Sequence, residues 1–263
     1  MLVSREAKIR AILIRQRPVE ALSSLISALS AGDVDIDLNR TAIVFDASVF
    51  LRVATHRRAA DIVDYLSAQH KAPLVIPGQA IQEFWNNQLN VVDTMAASLS
   101  KKFEDLRKEL ERVDSLGGAV LDRIRTDIES LRADYGHVYD EGTKARTLSL
   151  MDMLRQHAIV PFADRIKFED VAAARKTTRT PPGFKDAGNG DFYTWLDMLT
   201  GLSQPTVAGK FDTVAFVTHD VKIDWSRAGL PHPLLAVEVR EILKADFVIW
   251  SIDKLVSKID AAT

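Results

Sequence analysis

The chain contains no cysteine. Disulfides, thiolate metal sites and cysteine nucleophiles are therefore excluded, and a reducing cytosol fits without being required. It also lacks a dominant charge of one sign. Its 34 Lys+Arg against 36 Asp+Glu leave a formal net charge of -2, so a polyanion must be met by a local basic patch rather than by the whole surface. No apolar run approaches membrane-spanning length. Residues 1–17 carry charges throughout (Arg5, Glu6, Lys8, Arg10, Arg15, Arg17), unlike a signal peptide. The expectation is a cytoplasmic protein with no membrane association. A Walker A loop and a Gly-x-Gly-x-x-Gly are both missing, so nucleotide binding through those devices is unsupported.

What remains is ordinary globular material: 263 residues, 47% hydrophobic and 27% charged, with ample apolar matter for a core. No internal repeat, low-complexity tract or linker demands two domains. The expected organisation is one domain over 1–263, with N-terminal helices over 1–38 and a helical insertion at about 87–160.

The organising stretch is Thr41-Ala-Ile-Val-Phe-Asp46-Ala-Ser48. A continuous β-branched and apolar run suits a strand buried on both faces, as in a parallel sheet covered by helices. A carboxylate in mid-strand would be costly. At the C-terminal end it reaches the crevice where open α/β sheets bind ligands, although Asp46 could equally serve as a helix cap. Ala59–Gln69 carries Ile62, Val63 and Leu66 at helical spacing, and Pro73-Leu-Val-Ile-Pro77 reads as a second strand, completing a βαβ unit. From Trp85, apolar residues at Leu89, Val92, Ala96, Leu99, Phe103, Leu106, Leu110 and Val113 alternate steps of three and four. Gly117-Gly118 interrupts them, and Val120, Ile124, Ile128 and Leu131 resume the stripe, which predicts a long helical hairpin. The same seam would serve a homodimer. A further helix is expected from Thr143 to about His157. Phe192–Leu202 reads as another helix, Asp212–Thr218 as a strand ending at Asp220, and Asp246–Trp250 as the last strand.

Five acids fall at sheet ends or helix starts: Asp46, Glu83, Asp186, Asp191 and Asp220. Each alone has a bland reading as a cap or surface charge. Strands of one parallel sheet point the same way, so acids at their ends converge on one rim. Converged carboxylates repel, and some are neutralised unless a cation compensates. Mg²⁺ or Mn²⁺ is the natural compensation, since both take oxygen ligands and keep several waters. The implied chemistry is phosphodiester hydrolysis by metal-activated water. Residues 171–185 carry four basic side chains and no acid, Arg175, Lys176, Arg179 and Lys185, and are candidate phosphate contacts together with Arg57 and Arg58. Asp197 and Asp224 are expected to face solvent or to support the acid cluster from behind, and His56 and His219 to lie on the surface.

Asp46-Ala-Ser48-Val-Phe-Leu, Pro77-Gly-Gln-Ala-Ile-Gln-Glu83-Phe, Lys185-Asp186 with Gly190-Asp191-Phe-Tyr-Thr-Trp-Leu, and Val217-Thr218-His-Asp220 with Asp224-Trp225 together resemble the PIN domain, in its larger bacterial PIN-like variety with a helical insertion. The resemblance covers about residues 40–90 and 180–255. It implies a Rossmann-like α/β/α sandwich around a central parallel sheet, with a long helical hairpin inserted. It further implies a Mg²⁺- or Mn²⁺-dependent nuclease, acting most readily as an endoribonuclease, with RNA or structured or single-stranded DNA as partner. An antitoxin or a defence-system protein is the kind of protein partner it suggests. By the resemblance Asp46, Glu83, Asp191 and Asp220 are catalytic metal ligands, Asp186 is an additional acid that competes with Asp191 for the ion, and Ser48 and Thr218 orient the cluster. Three other readings stay open: a structure-specific DNA nuclease, a catalytically inactive RNA-binding or interaction module, and a phosphatase with Asp46 as nucleophile. Against the last, the second aspartate expected two residues on is Ser48.

Overall fold

A computed structural model describes residues 4–16, 19–30, 36–86, 101–102, 105, 108–109, 122–123, 126, 141–219 and 222–262. The chain divides into two compact units, Met1–Phe84 with Thr147–Thr263, and Trp85–Arg146. In the second unit the described positions are helical; the seam from Leu89 to Val113 is almost entirely outside the described residues, as are Gly117-Gly118 and most of the return stripe.

The first unit is built on five parallel strands in the order β3-β2-β1-β4-β7. These are β1 (Thr41–Phe45), β2 (Leu74–Val75), β3 (Ala158–Ile159), β4 (Thr213–Val217) and β7 (Asp246–Trp250). Between the last two, β5 (Ser226–Arg227) and β6 (Leu230–Pro231) form a separate antiparallel pair that the sequence did not announce. The register of β1 on β4 runs from Thr41 opposite Thr213 to Phe45 opposite Val217.

Strand periodicity explains why β1 is apolar at every position. Alternate side chains point to opposite faces: Ala42 and Val44 enter one core, Ile43 and Phe45 the other. In β4, Val214 and Phe216 join the first core, and Ala215 and Val217 the second. The helices α1 (Arg5–Leu13), α7 (Arg165–Thr177), α8 (Gly190–Leu202) and α9 (Pro233–Leu243) supply the first core. The second takes α3 (Ala47–Thr55), α4 (Ala59–Ala68), α6 (Glu141–His157, through Leu150, Met153 and Leu154) and α10 (Ile252–Ala262). The result is an α/β/α sandwich with a central parallel sheet. Two more helical stretches are α2 (Ala21–Ser30) and α5 over residues 78–86.

Strand order also fixes where a site can form. From β1 the chain crosses to β2 and then β3 on one side, and returns to place β4 on the other side of β1. The crevice between the C-terminal ends of β1 and β4 is thus the topological switch point, the position at which open α/β sheets bind ligands. Backbone hydrogen bonds carry the sheet one residue into that crevice: Asp46 N–H donates to Val217 O (3.1 Å) and Thr218 N–H to Trp250 O (3.0 Å).

Candidate functional site

Asp46 lies at the switch point, and it does cap a helix. Its Oδ1 accepts the Ala47 N–H (2.8 Å) at the start of α3. Its Oδ2 accepts two hydroxyls, Ser48 Oγ at 2.6 Å and Thr218 Oγ1 at 2.7 Å. Ser48 Oγ in turn accepts the His219 N–H (3.1 Å). Ser48 and Thr218 thereby set the carboxylate's rotation from both sides of the crevice. Capping and site membership need not exclude one another, since a carboxylate has about four lone-pair sites.

Glu83 arrives on α5. Ala80 and Phe84, four residues apart, face the core, and the Phe84 ring meets Phe50 of α3 edge-on at 5.5 Å. Glu83 occupies the flank of that stripe. Its Oε1 accepts Gln79 Nε2 (3.0 Å), and it lies so close to the Gly190 backbone that a β-carbon there would stand 2.2 Å from Oε1. Gly190 is needed because the carboxylate uses the space of its missing side chain. Burial pushes the Glu83 carboxyl up; the Gln79 hydrogen bond opposes this, while the charges of Asp46 and Asp186 raise it further and Lys222 lowers it.

Asp186 and Asp191 form a hydrogen-bonded carboxyl pair. Burial, with the Asp186 hydrogen bond next, pushes Asp191 up to about 7. Burial also acts to raise Asp186, but the hydrogen bonds from Asp191 and Lys222 and the charges of Lys222 and Lys176 hold it below the ordinary carboxylate range. The two shifts run in opposite directions because adjacent carboxyls disfavour ionising together. Lys222 Nζ bridges them, 3.0 Å from Asp186 Oδ2 and 3.2 Å from Asp191 Oδ2, and Trp225 Nε1 donates to the same Asp191 oxygen (3.0 Å). The Trp225 ring is stacked on Phe216 of β4 (4.6 Å, 6°), which ties this acid to the sheet.

The loop carrying the pair is fastened from beneath. Asp224, expected toward solvent or as support, is fully buried and accepts the Gly183 N–H (3.0 Å). Gly183 has φ +80, and a β-carbon there would press on Asp191 Cβ at 2.8 Å, so glycine is required on both counts. Asp197 is likewise fully buried: it accepts the Gln79 and Ala163 N–H groups (2.9 and 2.8 Å) and a two-toothed Arg165 guanidinium. It joins the start of α5 to α8, and so aligns Glu83 with Asp191.

Two basic candidates need correction. Arg175 is buried, 3% exposed, and is held by both Glu238 oxygens, Leu13 O and Pro181 O; it turned inward because Glu238 and two orphan carbonyls lie there. Lys176 Nζ is bound to Ala187 O and Gly188 O (2.7 and 3.1 Å) and braces the acid loop. Arg179 and Lys185 are exposed, as is Arg57, whereas Arg58 is paired with Asp61 and Asp260. His56 meets the exposed Asp253 at 3.2 Å. Asp220 lies outside the described residues. Lys222 was not singled out from sequence, and only its nearness to Asp220 could have flagged it; Gly190 and Trp225 stood in the quoted motifs without a role of their own.

Among the described residues, no three acidic or histidine side chains stand close enough to hold a metal ion as they are arranged. The donor chemistry nevertheless fits a hard divalent cation. Among the described residues the acidic groups of the site are all carboxylates, their charges act on one another, and a lysine ammonium is already drawn between two of them.

A family model described as a PIN like domain matches residues 42–124. The matched stretch contains Asp46, Ser48 and Glu83, while Asp186, Asp191 and Asp220 fall beyond it. No curated protein and no solved structure matches the chain.

Proposed function

We propose that the chain is a metal-dependent nuclease of the PIN-like superfamily, and specifically an endoribonuclease that hydrolyses phosphodiester bonds; the match of a PIN like domain to residues 42–124 supports the family. The observation that carries this reading is the gathering of Asp46, Glu83, Asp186 and Asp191 at the switch point, where Glu83 feels the charges of both Asp46 and Asp186. Asp46, Glu83, Asp186 and Asp191, with Asp220, would hold Mg²⁺ or Mn²⁺. When bound, such an ion polarises a phosphoryl oxygen and lowers the pKa of a coordinated water.

The chain's own residues do the rest. Ser48 and Thr218 keep Asp46 in one rotamer, so the carboxylate pays no reorganisation on binding. Gln79 and the bare Gly190 backbone fix Glu83. Asp197 and Asp224 hold the two acid-bearing segments from the interior. Lys185, next to Asp186, and Arg179 are the exposed cations offered to substrate phosphates.

The competing reading, an inactive binding module, draws on the fact that no three described acids yet converge on one point. Incubating the protein with mixed RNAs and with single-stranded DNA, in Mn²⁺, Mg²⁺ or EDTA, separates the readings. The expected result is RNA cleavage that requires a divalent ion and disappears in EDTA. Cleavage that persists in EDTA overturns the mechanism. Binding without cleavage under every ion selects the inactive module, and cleavage confined to DNA selects the DNA nuclease.

A further inference from the structure

The Lys222 ammonium reaches into an acidic site from a side chain that is 39% exposed. It lies within hydrogen-bond reach of Asp186 Oδ2 and Asp191 Oδ2 at once, and its charge also acts on Glu83. Trp225, stacked on Phe216, fixes the Asp191 oxygen that the ammonium touches. Gly183 admits the Asp191 side chain, and Asp224 pins the Gly183 backbone. An exposed ion pair has no such foundation; here a rigid indole, a glycine and a buried carboxylate position one of the two acids that receive the cation.

We propose that Lys222 is a resident cation: its ammonium fills the Asp186–Asp191 half of the rim, so that the chain takes up a single divalent ion, on the Asp46–Glu83 half. The inference rests on the metal-dependent reading above and narrows its ligand set: Asp186 and Asp191 hold the ammonium in place of the ion. A doubly charged ion cannot approach the Asp186–Asp191 pair without meeting the ammonium at about 3–4 Å, where like charges repel strongly even at an effective dielectric near 20. On the other half the donors are neutral: Asp46 accepts the Ala47 N–H and the Ser48 and Thr218 hydroxyls, and Glu83 accepts the Gln79 amide. The fixed positive charge then does at one end of the rim what a second ion does in two-metal sites, neutralising carboxylates and attracting phosphate. Lys222 is in this account a positioning residue for the acid pair and a charge at the substrate phosphate.

Titration calorimetry with Mn²⁺ alone, on the wild-type chain, Lys222→Met and Lys222→Arg, tests it. The wild type is expected to bind one ion per chain. Lys222→Met should bind a second ion, or bind the first at least about tenfold more tightly, since a charge within a few ångströms of the site is gone. Lys222→Arg, which keeps the charge, should retain a stoichiometry of one. Two equivalent ions on the wild type, or an isotherm unchanged in Lys222→Met, overturns the resident cation while leaving a metal-dependent nuclease intact. No binding to any of the three proteins overturns both readings. Should Lys222→Met fail to fold, Lys222→Gln, which also removes the charge, is titrated in its place with the same two outcomes.

Discussion

At the scale of single residues, the site is held together by what is missing as much as by what is present. Gly190→Ala would place a methyl group 2.2 Å from Glu83 Oε1. The carboxylate is the end of a flexible side chain and will yield, so the fold should survive with its melting temperature within a few degrees, while metal affinity and cleavage fall by at least tenfold. Calorimetry with Mn²⁺ beside a melt checks this; unchanged affinity would mean that Glu83 does not contact the ion. Asp191 gives a pH signature in the metal-free protein. Its folded-state pKa is raised to about 7 from an ordinary 3.8. The folded chain therefore holds a proton that the unfolded chain has lost across that window, and stability falls as pH rises from about 4 to 7. Glu83, also raised, contributes with the same sign. Asp186, which is lowered, acts with the opposite sign and at more acidic pH. In EDTA, the drop in melting temperature between pH 5 and pH 8 should be smaller for Asp191→Asn than for the wild type, at about 2–4 °C per kcal/mol for a chain of this size. An equal drop in both proteins refutes the assignment.

At the scale of elements, the buried Arg175–Glu238 pair joins α7 to α9, and Trp195 Nε1 of α8 donates to the same carboxylate (2.8 Å). Replacing Arg175 with Met leaves Glu238 charged and unpaired in the core, a loss of about 3–5 kcal/mol. Replacing both partners with apolar residues should cost clearly less. Urea denaturation of the single and double variants tests this, and a double variant no better than the single one would show that the pair itself is the source of stability. The same pair shows where sequence reasoning stops. The strands β1 and β4 were legible because runs of five apolar or β-branched residues have few alternatives, β7 because four apolar residues follow Asp246, and α4, α6 and α8 followed from their spacing. β3 was missed because two residues, Ala158 and Ile159, carry no periodicity. Arg175 read as a phosphate contact because its basic neighbours are nearby in sequence, whereas Glu238 is 63 residues away. For Asp197 and Asp224 the sequence left solvent and support as alternatives, because the partners that decide for support, Arg165 and the Gly183 amide, are not revealed by composition.

At the scale of the whole molecule, the parallel sheet and its two cores were readable in outline. The site's order in the chain is the more consequential property. Asp46 and Ser48 belong to the first strand and its helix, yet the hydroxyl that completes Asp46's setting belongs to Thr218, 172 residues later. A ribosome adding 5–20 residues per second needs roughly 9–35 s to travel that distance. During that interval β1 can pair with β2, and β2 with β3, but the crevice has only one wall. Half of the rim is thus made early, and the other half follows only after β4 has been synthesised. The late arrival of one strand sets the moment at which the crevice closes around Asp46.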